Sequence, residues 1–304
     1  MTIGLPKALL YYRYEYLWKT FFSELGCEVV TSQDTNQPIL SNGINYSISE
    51  CCLPQKLFMG HVYSLIGHCD YILIPRFEEL KYDEEFCPRL WGLPDIVRNT
   101  FPDAPLITYN LQEGKRDSEW LGFLHIGKYL GKSSSQIVRA YRSALNEQQR
   151  QDRLSVEKQN KLLDTCDAKI LLVAQPYIIH DAYVGWPLVR MLQEEGGVPI
   201  YADRCNREKC RAGAKSITTD LYWIINKEII GAIPLIKSCV DGILLISSFP
   251  CGCDSLVNEL ALRRIRDIPI TQIVLDEQQG EAGLQTRIES FMDIIHERES
   301  VRVQ

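Results

Sequence analysis

"TIGLPKALLYYRYEYLWKTFFSELGCEVVTS", residues 2–32, holds three segments in a row. "TIGLPKA" reads as a short buried strand. "LLYYRYEYLWKTFFSELG" carries apolar residues at helical spacing and stops at Gly26, a residue type that closes helices in the left-handed conformation. "CEVVTS" is the next strand. A strand, a helix and a strand in succession predict parallel strands with the helix packed on the sheet.

The alternation continues outward from that stretch. An indistinct helix is expected over residues 36–46, then a helix in "LPQKLFMGHVYSLIGH", a strand in "DYILIPR", a helix in "WGLPDIVRNTF" and a strand in "APLITYN". The second half follows the same plan. "AKILLVAQP", "VPIYAD", "DGILLISS" and "IPITQIVLDE" read as strands. Between and after them, "DAYVGWPLVRMLQEEGG", "TDLYWIINKEIIGAIPLIKS" and "GLQTRIESFMDIIHE" read as helices. Both halves open with a strand, a proline turn, an aromatic-rich helix, a glycine and a strand. An old duplication accounts for this, and so does the general likeness of doubly wound domains. The polar, helix-forming stretch before residue 165 reads as a connector, with an N-cap offered by Ser133–Ser135. The expected organisation is an α/β domain over 1–132, a helical connector over 133–165 and a second α/β domain over 166–304.

Composition narrows the function. The chain has 304 residues, 45% of them hydrophobic, and a net charge of -6. It has no long basic run, which argues against nucleic acid and anionic membrane as partners. The start lacks the features of a signal peptide, and "YWIINKEIIGAIPLIKSCV" is broken by Lys227, Glu228 and Lys237. The expectation is a soluble cytoplasmic protein in which thiols stay reduced. Eleven cysteines then point to metal or redox use.

Three cysteine sites sit beside prolines: Cys51 and Cys52 in "SECCLPQK", Cys87 in "EEFCPRLWG", and Cys251 and Cys253 in "SSFPCGCDS". Cys87 and Cys251 follow strands, and Cys52 precedes a helix. All therefore fall on the edge of a parallel sheet where ligands bind. Two domains facing each other would bring the three sites into one cleft. Helix N-termini lower thiol pKa and favour an anionic cluster. The spacings are C-C, C-x-C and, at Cys205 and Cys210, C-x4-C; there is no C-x2-C pair of the zinc-knuckle kind. Scattered thiolates suit an iron–sulfur cluster, and three of them leave one iron open. The alternative is inert buried thiols, which fits Cys27, Cys69, Cys166 and Cys239.

At these residues the chain resembles the 2-hydroxyacyl-CoA dehydratase and activase-related family, in its CoA protein activase branch. The resemblance rests on "IGLPKALLYYRYEYLWKTFFSELGCEVV", "ECCLPQKLFMGHV", "DYILIPR", "FCPRLWGLPD", "DGILLISSFPCGCDSLVNE" and "LDEQQGEAGLQTRIESF". It implies an α/β protein of two Rossmann-like domains with an oxygen-sensitive [4Fe-4S] cluster in the cleft between them. By position the ligands fall on Cys52, Cys87 and Cys251. The chain departs from the family pattern at Cys51, where one cysteine is usual, and at Cys253, where proline is usual. Either thiol is a fourth ligand or a spectator. One cubane per chain is favoured over a double cubane.

Lys56 and His61 follow Cys52 by one and about two helical turns, which would let them face the cluster and tune it. His68 reads as a helix-end residue. Asp276, Glu277, Arg287 and Glu289 would form a carboxylate–guanidinium clamp seating the last helix, with Arg287 at the cleft mouth. There is no G-x-G-x-x-G and no G-x4-G-K-[ST], so the chain does not read as the ATP-hydrolysing activase itself. The function expected is low-potential electron transfer or radical-type reduction related to 2-hydroxyacyl-CoA dehydration in an anaerobic setting. Its partner would be an ATP-driven activase or another redox protein, with a homodimer left open. The alternatives are a cluster-holding scaffold and a zinc-stabilised binding protein.

Overall fold

The computed structural model of the protein describes residues 1–81, 84–112, 118–165, 167–278 and 280–303. By internal contacts the chain divides into two compact units, residues 1–153 with 222–224, and 154–221 with 225–304.

The first unit runs β1 (Thr2–Leu5), α1 (Tyr11–Glu24), β2 (Glu28–Thr31), α2 (Gln37–Asn45), α3 (Leu53–Leu65), β3 (Tyr71–Leu73) and β4 (Arg76–Lys81). It continues with β5 (Glu84–Glu85), α4 (Pro88–Trp91), α5 (Leu93–Thr100), β6 (Leu106–Ile107), β7 (Asn110–Gln112), α6 (Glu119–Tyr129) and α7 (Ser134–Leu163). Four strands form a parallel sheet in the order β2-β1-β3-β6. Ile3 lies opposite Val29 on one side and Tyr71 on the other. A second, mixed sheet was not expected: β4 pairs antiparallel with β5 and parallel with β7. "DYILIPR" read as one strand, but β3 stops at Leu73 and β4 starts at Arg76. Pro75 between them has no N–H for a ladder, which is a physical reason for the break.

The aromatic face of α1 builds the core here. Tyr14 stacks on Trp18 and on Phe77, with ring centroids 5.7 and 5.3 Å apart. The Trp18 indole N–H donates to the buried hydroxyl of Tyr109 at 3.0 Å, so the largest ring is buried with its polar atom satisfied. α7 opens with a capping box. Ser133 Oγ accepts from the Gln136 N–H at 3.3 Å, and Gln136 Oε1 accepts from the Ser133 N–H at 3.0 Å. The stretch expected as a connector is thus mostly this one helix, and the division between units falls inside it, after Arg153.

The second unit runs β8 (Lys169–Val173), α8 (Pro176–Ile179), α9 (Gly185–Glu194), β9 (Val198–Tyr201), α10 (Arg207–Ala214) and α11 (Ile224–Ile236). It closes with β10 (Gly242–Ser248), α12 (Gly252–Arg264), β11 (Ile270–Leu275) and α13 (Glu281–Val303). Its sheet is parallel throughout, in the order β11-β10-β8-β9. Every residue of β10 is buried, as a central strand covered on both faces requires. Leu172, Leu192, Leu244, Ile246, Ile273 and Phe291 belong to one apolar core. In both units the first strand lies between the second and the third, so the halves share a strand order as well as a sequence layout.

In the first unit α2 and α3 meet at two glycines. A Cβ on Gly43 would lie 2.0 Å from the Lys56 carbonyl oxygen, and one on Gly60 would lie 2.0 Å from that of Ile39. Gly60→Ala is therefore expected to cost about 2 kcal/mol or more, because rigid backbone must move. Denaturant unfolding reads this; an unchanged midpoint would show that the helices are not held at this separation.

Candidate functional site

A parallel sheet in this order has one predictable crevice. The connections that leave the first and the third strands run to opposite faces of the sheet. The gap opens at the strand C-termini, between the first and third strands. In the first unit that is the edge of β1 and β3, and in the second the edge of β8 and β10.

In the first unit this edge carries strain and charge. Leu9, in the loop after β1, has φ 49°, a left-handed conformation that costs a branched residue roughly 1–2 kcal/mol. Such outliers gather at functional sites. Beyond β3, Arg76 donates to the Trp91 carbonyl at 2.6 Å and to Asp95 at 2.7 Å, tying down the α4–α5 segment. Cys87 is the N-cap of α4, held extended by Pro88 after it. Cys52 is the N-cap of α3, and its carbonyl accepts from the Gln55 and Lys56 N–H groups at 3.0 and 3.1 Å. Arg89, two residues past Cys87, joins the loops: it donates to Cys51 Sγ at 3.5 Å and to the Glu50 carbonyl at 3.4 Å. Nothing in the sequence spacing marked Arg89.

Lys56 is 5% exposed and so is not the solvated lysine of an ordinary helix face. His61 is fully buried, and both ring nitrogens are taken, by Ser32 Oγ at 2.8 Å and Thr35 Oγ1 at 2.9 Å. No ring nitrogen is left for a cluster. His61 instead pins α3 to the segment after β2, and Ser32 in turn accepts from the Lys7 N–H at 2.8 Å. Burial, with Lys7 adding to it, lowers the imidazole pKa to about 3.

In the second unit the crevice is filled by a buried polar network that sequence reasoning missed. Cys251 is the N-cap of α12, and its sulfur accepts from the Asp254 N–H at 3.4 Å. Asp254 is 2% exposed. Its Oδ1 accepts from Gln175, just past β8, at 2.7 Å and from Asn226 on α11 at 2.8 Å. Burial raises the Asp254 pKa; the bonds from Gln175, Asn226 and Cys251 oppose it without cancelling it. Four buried atoms here have no partner: Asp254 Oδ2, Gln175 Oε1, Asn258 Nδ2 one turn further along α12, and Ser247 Oγ on β10. Unmet buried groups are costly and rare, and they are what a ligand would satisfy. Farther along the same edge His180 bonds Asp203 at 2.8 Å. Burial works against the Asp203 carboxylate, but His180, Arg204 and Arg207 outweigh it and hold its pKa below the ordinary value.

The remaining expected residues are scattered. Cys253 lies in the first turn of α12 beside Cys251. Cys27 is buried, and burial raises its thiol pKa, as expected of an inert thiol; Cys69 is half-buried with the same direction and cause. Cys239 is exposed, in a 3-10 turn after α11 that has no buried residue, so the buried reading fails there. Cys166 lies outside the described residues. His68 lies just past the end of α3, where a helix-end residue was expected. Arg287 donates to the Gln272 carbonyl on β11 at 2.6 Å, seating α13 through a backbone oxygen. Asp276 accepts from the Gln278 N–H at 2.5 Å, and Glu289 from Gln285 at 2.9 Å.

A thiolate-held cluster is compatible with these thiols in donor chemistry. All three expected ligands cap helices, one accepts an N–H bond, and one loop carries an arginine at sulfur. Among the described residues, no three His, Cys, Asp or Glu side chains stand together as a metal-holding group, and no cysteine is in a disulfide. No helix among them is long and apolar enough to cross a membrane.

Residues 2–205 match the family described as the CoA enzyme activase uncharacterised domain (DUF2229). No curated protein matches. Among solved structures the chain is similar to an Mn-bound variant of a periplasmic metal binding protein from Candidatus Liberibacter asiaticus. The identity is 10%, with 97% of this chain and 100% of that chain covered and a TM-score of 0.30. A metal-free variant of a periplasmic metal binding protein from the same organism gives 11% identity, the same coverages and a TM-score of 0.30. Similarity at that level carries no argument.

His61 makes stability pH-dependent with a definite sign. The unfolded histidine binds its proton below about pH 6.5, whereas the folded one resists to about 3. Its contribution is complete above the unfolded value and falls as pH drops, by about 1.4 kcal/mol per pH unit in that window. His61→Gln removes this slope. The stability gap between wild type and variant, from denaturant unfolding, should narrow from about pH 7 to about pH 5. A constant gap would mean that the buried histidine charges freely in the folded state.

Proposed function

The chain belongs to the family of the CoA enzyme activase uncharacterised domain, and from that premise we propose that it is an iron–sulfur redox component of an activase-dependent system. Cys52, Cys87 and Cys251 would hold a [4Fe-4S] cluster, with Cys51 or Cys253 in reserve as a fourth ligand. The observation that carries this reading is that each of the three caps a helix N-terminus. A side chain at that position is next to the N–H groups that a helix leaves unpaired at its start, and these can donate to a sulfur ligand, as Asp254 does to Cys251. The cluster would supply one-electron chemistry at low potential.

The chain's own residues have separate tasks. Cys251 accepts the Asp254 N–H, a bond that makes sulfur less electron-rich and helps an anionic site accept an electron. Gln175 and Asn226 fix Asp254 from two other elements, so the α12 N-terminus is held to the β8 edge. Arg89 balances charge at Cys51. The sequence has no phosphate-binding loop, so ATP energy has to come from a partner protein.

Protein purified without oxygen is expected to be brown and to carry about four irons with matching sulfide per chain. Cys52→Ser, Cys87→Ser and Cys251→Ser should each lose most of the iron, and Cys239→Ser should keep it. The same assay on Cys51→Ser and Cys253→Ser identifies the fourth ligand. Alone the protein should not turn over ATP; with a cognate activase, ATP and a reductant its visible absorbance should bleach. Colourless protein containing zinc and no sulfide despite strict anoxia would falsify the proposal. Full iron in any of the first three variants removes that residue from the ligand set.

A further inference from the structure

Cys205 and Cys210 take no part in the site above, yet they form a matched pair. Asn206 caps α10, its Oδ1 accepting from the Lys209 N–H at 3.0 Å. Cys205 is thus the residue before the cap and Cys210 the fourth residue of the helix. Those two positions face each other across the first turn, where two apolar side chains commonly meet. The neighbouring Cys205 side chain is also what chiefly raises the Cys210 thiol pKa. We propose that Cys205 and Cys210 are a redox-active dithiol, a modification site that takes a low-molecular-weight disulfide such as glutathione disulfide and closes to an intrachain disulfide.

The two sulfurs have unequal surroundings. Cys205 is half-buried and reachable, whereas Cys210 is 1% exposed. Gln159 Nε2 donates to Cys205 Sγ at 3.5 Å. That amide cannot swing away, because it also holds the Tyr201 backbone at both ends: Nε2 donates to the carbonyl at 2.9 Å and Oε1 accepts from the N–H at 2.8 Å. Cys205 Sγ is therefore a fixed acceptor for a neutral amide, at the N-terminal end of a helix and between Arg204 and Arg207 in sequence. Its S–H lies 3.9 Å from the Tyr201 carbonyl, so the sulfur is held in place while its half-buried side chain stays reachable. Cys210 differs: the Cys205 side chain, and then burial, push its thiol pKa well up.

This asymmetry orders the steps. The Cys205 thiolate attacks one sulfur of the external disulfide, forming the mixed disulfide and releasing the first small thiolate. The Cys205 thiol that held up the Cys210 pKa is then gone. Cys210 loses its proton and attacks Cys205 Sγ, forming the Cys205–Cys210 bond and releasing the second small thiolate. The protein dithiol gives up two electrons and two protons, and one external disulfide becomes two thiols.

The full chain, reduced and then exposed to glutathione disulfide without oxygen, tests this by mass spectrometry of non-reducing digests. Wild type should lose both thiols together and show the Cys205–Cys210 link. Cys210→Ser should stop at glutathione on Cys205, and Cys205→Ser should leave Cys210 unmodified. Circular dichroism of each variant checks that α10 and its surroundings remain folded. Three results would overturn the proposal: no reaction at Cys205, glutathione persisting on Cys205 in wild type, or Cys210 reacting as fast in Cys205→Ser as in wild type. Because neither thiol is among the proposed cluster ligands, the outcome is independent of whether the protein binds iron.

Discussion

A carboxylate taken out of water has to be hydrogen-bonded or neutral, and Asp254 is held where only a network answers that demand. It lies at the first turn of α12, at the point where the connections of β8 and β10 diverge. Gln175 comes from beyond β8 and Asn226 from α11, and both donate to the same oxygen. Three chain segments are therefore fixed relative to one another by one buried group. The Cys251 sulfur depends on the same arrangement through the Asp254 N–H. The second oxygen of Asp254 and the carbonyl of Gln175 stay unmatched, so the network stabilises the fold only in part. A half-satisfied buried network is expensive for stability alone.

The first unit meets the same topological problem with other chemistry. Its order, β2-β1-β3-β6, opens the equivalent gap. There a neutral histidine between two hydroxyls pins α3 to the segment after β2, and Arg76 and Arg89 carry the charge. The two units thus share an architecture without sharing side chains. One edge is built on a buried carboxylate and amides, the other on guanidinium groups and an imidazole kept uncharged by burial.

Thiols are used in two distinct ways. Cys52, Cys87 and Cys251 stand at helix N-cap positions, and the Cys251 sulfur accepts a backbone N–H there. Cys205 and Cys210 straddle a cap and face each other, an arrangement suited to exchange between sulfurs. The difference is positional: a cap residue points along the helix axis, whereas the residue before the cap and the fourth helical residue meet on its side.

Strands, helices and the parallel order were legible because burial imposes a period on the sequence. β10 reads as seven consecutive core residues, and α1 shows its aromatic face at helical spacing. The proline-flanked cysteines were legible because proline fixes the backbone locally. The mixed sheet was not, since β5 and β7 are two and three residues long and owe their pairing to β4. Lys56 and His61 were placed correctly on α3, but their burial depended on Gly43 and Gly60 letting α2 approach, a contact that helical period alone does not encode. Asp254, Gln175 and Asn226 look like ordinary polar residues in the sequence, 28 and 79 positions apart. Arg89 and Cys51 are 38 apart, and no local pattern links them. The sequence by itself determined which segments are strands, which are helices, and which thiols lie at their ends, because those depend on neighbours along the chain. Only the tertiary structure decided which polar groups are buried and which sulfur receives which donor, because those depend on chain crossings that bring distant residues within hydrogen-bond reach.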